Sequence, residues 1–258
     1  MKALKAHNGN AVKVHLKIDT GMTRLGVPLE QAEAFLKEAN QLNSIELEGL
    51  YSHFATADEG DLSYANSQLS KFNEVVKIAK KLDIYPTFIH CSNSGAILNV
   101  KESRFNMVRA GMLLYGAFPS DEVPQELQIK PVMTFTAPVV EIRDVKAGTH
   151  ISYGGVYTTK SDTRIAVVQA GFADGVPRPW YIDGFVKFKD QNFKITGRIC
   201  MDQLMIDIGS ADIQYGDEVL IFGSNEHGSI DINHIAKKID STSYVLVTAI
   251  GIRPKRVY

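Results

Sequence analysis

The residues best placed to do chemistry begin with His15 to Gly26, H-L-K-I-D-T-G-M-T-R-L-G. Val12, Val14, Leu16 and Ile18 alternate with His15 and Lys17 as in a half-buried strand. The strand runs into a polar turn, Asp19-Thr20-Gly21, followed by Arg24 and Gly26. A charged, glycine-bearing turn at the carboxyl end of a strand is where α/β folds place their chemistry. An ordinary strand-to-helix loop has the same local signature, so this stretch alone leaves both readings open. Asn93-Ser94-Gly95 raises the same question, since it reads as a helix cap and turn after a short strand.

The elements that must position these groups alternate in the first half. Leu29–Asn40 has helical periodicity, Ile45–Phe54 reads as a strand and Leu69–Leu82 as a helix. Thr87–Ile89 is a short strand, Ala96–Val100 a short helix, and Asn106–Tyr115 a further strand. Strands alternating with helices imply parallel βα units. From Ile129 onward strands follow one another: Met133–Val145, Arg164–Gln169, Phe185–Lys189, Asn192–Thr196, Met205–Ile208 and Glu218–Phe222. Asp190-Gln191 marks a hairpin, and Ile232–Ile239 is the one helical candidate. The expectation is an α/β domain over residues 1–128 and a β-rich domain over 129–258. About four βα units occur, whereas a closed barrel of this type needs eight. Either the first half is an open sheet or the chain is missing its beginning.

Composition narrows the class. The chain has 258 residues, 45% hydrophobic and 22% charged, with a formal net charge of −1. That is ordinary for a packed globular protein. A basic run, an acidic tail, a bilayer-length apolar stretch and a signal peptide are all lacking, which points away from nucleic acid and membrane partners. Cys91 and Cys200 form no disulfide framework or zinc pattern, and no metal site is expected. A reducing cytoplasm is the simplest compartment.

Seven segments taken together resemble the alanine racemase family. They are His15 to Gly26, Tyr51-Ser52-His53-Phe54-Ala55-Thr56-Ala57-Asp58-Glu59, His90-Cys91-Ser92-Asn93-Ser94-Gly95-Ala96, Asn106-Met107-Val108-Arg109-Ala110-Gly111, S-Y-G-G-V-Y (Ser152 to Tyr157), G-F-A-D-G (Gly171 to Gly175) and G-R-I-C-M-D-Q (Gly197 to Gln203). They occur in the family's order, on both sides of the change in architecture. The resemblance implies the second half of a (β/α)8 barrel followed by a mostly β domain. It also implies pyridoxal 5′-phosphate (PLP) as cofactor, alanine as substrate, and a homodimer with shared active sites that supplies D-alanine for peptidoglycan.

The resemblance further implies residue roles. Racemisation removes a proton from one face of a carbon and returns one to the other, which favours two acid/base groups. One is the PLP lysine; the other matches Tyr153, reaching in from the partner subunit. A phenol of pKa about 10 needs positive charge nearby to act as a base at neutral pH. His53 and Arg109 match the residues that arrange this. Arg109 also matches the group facing the pyridine nitrogen, to which a guanidinium donates without giving up its proton. His90 would orient Arg109. Ser94 matches a phosphate ligand beside Asn93, and the amides of Gly111 and Met112 match two further donors. Arg24 and Met201 match the substrate-carboxylate ligands, with Cys200 near the entrance. Lys17 occupies a position that is N-carboxylated in some members.

Three positions depart from the pattern: Thr23 replaces a usual glycine, and Phe172 and Ile252 stand where tyrosines are found. The V-K-A-N-A-Y motif, whose lysine forms the Schiff base with PLP, has no match. Lys5-Ala6-His7-Asn8-Gly9 is only superficially similar. The chain is therefore expected to be a carboxyl-terminal two-thirds, inactive alone. A racemase for serine or another small amino acid, a related decarboxylase, a non-catalytic PLP-binding barrel and an inert scaffold are the alternatives.

Overall fold

The computed structural model describes residues 10–258. Lys5-Ala6-His7-Asn8-Gly9 lies outside the described residues. The chain divides into two compact units. One ends at Leu114 and takes in Phe118–Gln128; the other comprises Tyr115–Ala117 and Ile129–Tyr258. The architecture is α/β in the first and predominantly β in the second.

In the first unit, strands β1 (Val12–Asp19), β2 (Val27–Pro28), β3 (Ile45–Tyr51) and β4 (Phe88–His90) form a parallel sheet in the order β2-β1-β3-β4. Helices α1 (Ala32–Asn40), α2 (Ser63–Lys81) and α3 (Ser94–Asn99) alternate with the strands. α1 buries Ala32, Leu36 and Ala39, and α2 buries Ala65, Leu69, Phe72, Val76 and Ala79. These are the i, i+4, i+7 spacings of a helix with one apolar face. Together with Leu16, Ile18 and Leu50 they make one core. Burying Phe72 alone stabilises by about 2–3 kcal/mol.

α2 begins at Ser63, six residues before the apolar pattern starts. Its first turns are polar, but Asp61 accepts from the Ser63 N–H at 2.9 Å and Gln68 is buried. Asn106–Tyr115 is not a strand. Met112–Tyr115 is a short 3-10 turn and the residues before it are irregular. The Asn106 amide replaces the expected ladder, accepting from Ile89 N–H at 2.8 Å and donating to Thr87 O at 2.7 Å. The backbone rejoins β4's extension only at Arg109, whose N–H donates to Ser92 O.

The second unit is an antiparallel sheet in the order β10-β9-β12-β5-β8-β11. Its members are β5 (Phe135–Val145), β8 (Thr163–Val168), β9 (Phe185–Phe188), β10 (Gln191–Lys194), β11 (Leu204–Asp207) and β12 (Glu218–Asn225). A further strand, β13 (Gly228–Ile230), pairs with β12, and β6 (His150–Ile151) pairs with β7 (Tyr157–Thr158) as a separate ribbon. The β9–β10 turn falls at Lys189-Asp190, one residue earlier than the sequence suggested, and both residues have positive φ. That is the pattern of the turn whose twist matches a hairpin. Helix α4 (Ile232–Lys238) is followed by α5 (Ser243–Ala249), which the sequence reading lacked. Its S-Y-V-L-V-T-A run is rich in β-branched residues, which have weak helix propensity. Among the described residues no helix is long and apolar enough to cross a membrane.

Candidate functional site

The parallel sheet brings the carboxyl ends of β1, β3 and β4 to one edge. Thr20 and Ser52, both buried, join the first two ends through their hydroxyls at 2.8 Å. Ser52 N–H donates to His90 O and joins the third. The edge therefore gathers Lys17, Asp19, His53 and His90, and Arg109 runs beside it.

Arg109 is the hub. Its Nη1 donates to His90 Nδ1. Its Nη2 donates to Ser52 O at 2.8 Å, His53 Nδ1 at 3.0 Å and Cys91 O at 3.3 Å. Its cation lies 5.3 Å from the centre of the Tyr51 ring. Burial lowers its pKa, and no carboxylate pairs with it among the described residues. Guanidinium stays charged under such shifts, so this is a desolvated cation held by neutral acceptors.

That cation acts on its neighbours. The pKa of His53 is lowered to about 4 by burial, then by Arg109, Arg24 and Lys17. The pKa of His90 is lowered to about 4 by burial, then by Arg109 and His15. Both rings accept from Arg109 at Nδ1, so in the neutral state each carries its proton on Nε2. Burial raises the Cys91 thiol to about 12, which leaves it unreactive. Burial also lowers Lys17, with Arg24 adding to the effect and Asp19 opposing it.

The loop after β3 is held from below. Gln68 of α2 accepts from Ala55 N–H at 2.9 Å and donates to His53 O at 3.1 Å. Arg24 lies exposed beyond the β1 turn. The turn itself is knotted by Asp19, which accepts from Gly21 N–H at 2.9 Å and Thr23 N–H at 3.1 Å. Burial pushes the Asp19 carboxyl up, but these backbone N–H groups outweigh it and the net shift is downward.

A second cluster forms at α3. Ser94 is buried, and its Oγ accepts from Gly111 N–H at 3.0 Å and Leu113 N–H at 3.5 Å. Asn93 caps the helix: its Oδ1 accepts from Ala96 N–H at 3.0 Å and its Nδ2 donates to Phe54 O at 3.4 Å. The structure thus uses the Asn93 amide structurally. Met112 is buried. With both amides donating to its oxygen, the Ser94 hydroxyl keeps its own O–H to give to an oxyanion.

In the second unit, Tyr153, Cys200 and Met201 line one surface cleft with Ser152, Asp202 and Gln203. Tyr153 is 68% exposed. Ser152 sits at φ +62, and its Oγ donates to Arg198 O at 2.6 Å, tying the tyrosine loop to the cysteine loop. Gly171 packs against that loop so closely that a Cβ there would lie 2.2 Å from Met201 O. Phe172 and Ala173 N–H then donate to Cys200 O and Met201 O. Phe172 and Ile252 are both exposed.

The structure therefore gathers His53, His90, Arg109 and Lys17 in one place, Ser94 with Gly111 in a second, and Tyr153 with Cys200 and Met201 in a third. The sequence reading passed over Tyr51, His15, Glu48 and Gln68. Tyr51 stacks on His90, with ring centres 4.9 Å apart. Its place at the end of β3, two residues before His53, was the available signal.

Comparison with known proteins identifies relatives of both units. A family model described as "Alanine racemase, N-terminal domain" matches residues 1–119, and one described as "Alanine racemase, C-terminal domain" matches residues 132–258. An alanine racemase of Halothermothrix orenii is 42% identical over 247 residues, covering 95% of this chain and 65% of that protein. One of Desulfovibrio desulfuricans is 38% identical over 259 residues, covering 100% of this chain and 69% of the relative. The solved alanine racemase from D-cycloserine-producing Streptomyces lavendulae superposes with a TM-score of 0.93 at 35% identity, covering all of this chain and 68% of that one. The chain thus spans about two thirds of the length of the curated relatives it matches. Seven motifs in order, the matching fold and this identity across both units agree: the chain belongs to the alanine racemase family.

Proposed function

We propose that this chain carries the PLP-binding and acid/base residues of a racemase that interconverts L- and D-alanine by a two-base mechanism. The observation that carries this reading is Arg109, a desolvated cation held between two neutral imidazoles with no carboxylate beside it among the described residues. Such a group suits an uncharged nitrogen acceptor. The Ser94 hydroxyl with the Gly111 amide suits a phosphate. The donor set therefore fits PLP.

Bound PLP supplies the electron-withdrawing conjugation that acidifies the substrate Cα–H. Arg109 would hold the ring nitrogen by donating a hydrogen bond, and a guanidinium gives up no proton to it. His53, with Nδ1 committed to Arg109, presents Nε2–H as a donor to a phenolate. Tyr153, supplied by the partner subunit with Met201, holds and moves one proton at its hydroxyl oxygen. Arg24 and the Met201 N–H bind the substrate carboxylate, and Cys200 lines the entrance. Lys17, shifted toward its neutral amine, adds CO2 to give a carbamate and one released proton. The carbamate then steadies Arg24.

The sequence holds no V-K-A-N-A-Y-like segment, and turnover is expected only when a segment bearing that lysine is supplied. The protein acts as a homodimer in the cytoplasm and feeds D-alanine to peptidoglycan. The test is D-alanine formation from L-alanine by the purified chain with PLP, with and without that segment. Activity only with the segment supports the reading. Robust activity without it, or turnover of serine in preference to alanine, overturns it.

A further inference from the structure

Behind Arg109 a line of polar side chains runs through the sheet. His90 Nε2 lies 2.8 Å from His15 Nδ1, and His15 Nε2 lies 3.4 Å from Glu48 Oε2. Glu48 Oε1 in turn accepts from Lys13 Nζ at 2.8 Å, and Glu46 stands 3.8 Å from the same amine. Because guanidinium only donates, His90 Nδ1 must be an acceptor. Its proton is then on Nε2 and points at His15 Nδ1, which leaves the His15 proton on Nε2, facing Glu48. Every donor points the same way, from Arg109 to Glu48.

Two features of the backbone build this line. The β1–β3 register slips between Val14 and His15: Val14 pairs with Leu47, but His15 pairs with Gly49. Glu48 is the extra residue, so Gly49 and not Glu48 stands opposite His15. Glu46 and Glu48 both reach Lys13, two residues before His15 on β1, and so share the face of the sheet that carries His15. Gly49 supplies the room, since a Cβ there would lie 2.3 Å from His15 Nδ1. The His15 ring also stacks on Phe88, with centres 5.8 Å apart.

We infer that His15 and Glu48 are positioning residues for the proposed site: a directed relay that keeps His90 an acceptor for Arg109 and gives the guanidinium a counter-charge across two neutral rings. The inference rests on the proposed role of Arg109 only for its catalytic consequence.

The experiment is 15N NMR at neutral pH of the histidine-labelled 258-residue chain, with no cofactor or substrate, so it stands apart from turnover. His15→Gln and His90→Gln spectra supply assignments. The expected spectrum has both rings neutral, Nδ1 unprotonated, Nε2 protonated, and a coupling through the hydrogen bond between His90 Nε2 and His15 Nδ1. His15→Leu should abolish the coupling and shift the His90 Nε2 resonance, while Arg109 still holds Nδ1 unprotonated. Glu48→Gln, altering a partly exposed strand residue, should leave amide dispersion intact while shifting the His15 Nε2 resonance, since the charged acceptor is lost. Gly49→Ala should weaken the coupling. A proton on His90 Nδ1, an absent coupling in the wild type, variants that leave the ring signals unchanged, or a wild-type chain without dispersed amide signals would each overturn the relay.

Discussion

The Arg109 guanidinium donates to His53 Nδ1 at 3.0 Å, and this bond assigns the imidazole its proton. The same cation fixes His90 from its other amino group. Two histidines are thereby kept neutral, which has a consequence for stability. With pKa values lowered to about 4 in the folded state and about 6.5 when unfolded, the unfolded chain binds more protons between those values. Stability is then complete above about pH 6.5 and falls as pH drops toward 4. A loss of about 3 kcal/mol is expected from the buried His90 ring, and less from the partly exposed His53 ring. Urea unfolding of wild type and His53→Gln across that window checks it; the variant should lose less. A flat wild-type profile would contradict the cluster's electrostatics.

Gln68 is buried in α2 and satisfies both Ala55 N–H and His53 O. Gln68→Leu fits the space but leaves a donor and an acceptor unpaired. It should cost about 2–6 kcal/mol, at 1–3 kcal/mol for each group, and Gln68→Glu, which retains one bond, should cost less. Urea midpoints at constant m would show this ordering.

Thr23 adopts φ +54 in the turn tied to Asp19. A β-branched residue is strained there, which accounts for the glycine usual at this position in related motifs. Thr23→Gly should stabilise by about 1 kcal/mol, the relief of strain exceeding glycine's added chain entropy. A lower urea midpoint in the variant would show that the threonine side chain contributes more than its backbone costs.

Ser94 makes its hydroxyl the centre of the amide cluster. In the chain assembled with its cofactor-bonding segment, Ser94→Ala should weaken PLP binding by about tenfold or more, at 1.5–3 kcal/mol for a hydrogen bond to a charged group. Asn93→Ala should act mainly on stability, because that side chain is the α3 cap, at about 1 kcal/mol. Equilibrium dialysis of PLP and thermal unfolding separate the two.

Much of this architecture is legible along the chain, and the exceptions share a cause. α1 and α2 follow from apolar periodicity, and the motif-bearing turns follow from residue type. Asn106–Tyr115 looked like a strand because its apolar run is real, yet the Asn106 amide takes over the ladder bonds. α5 is hidden by Val245, Val247 and Thr248, whose local preference is overridden by packing that buries Leu246. Arg109 was visible as a residue, but the lack of a carboxylate beside it among the described residues was not, since that depends on which strand ends meet. Glu48 is hidden most completely. In I-E-L-E-G-L-Y it reads, like Glu46, as a solvated strand residue, and only the pairing of β3 with β1 brings it to His15.

In the proposed mechanism Tyr153 is one of two bases on opposite faces of the substrate. Solvent-deuterium wash-in, followed separately from L- and D-alanine with the assembled enzyme and its Tyr153→Phe variant, tests it most directly. The variant should slow α-proton exchange from one enantiomer by a hundredfold or more, in the range about 10²–10⁴ for a positioned acid/base group, and much less from the other. Equal exchange rates in variant and wild type, or equal slowing from both enantiomers, would contradict the account.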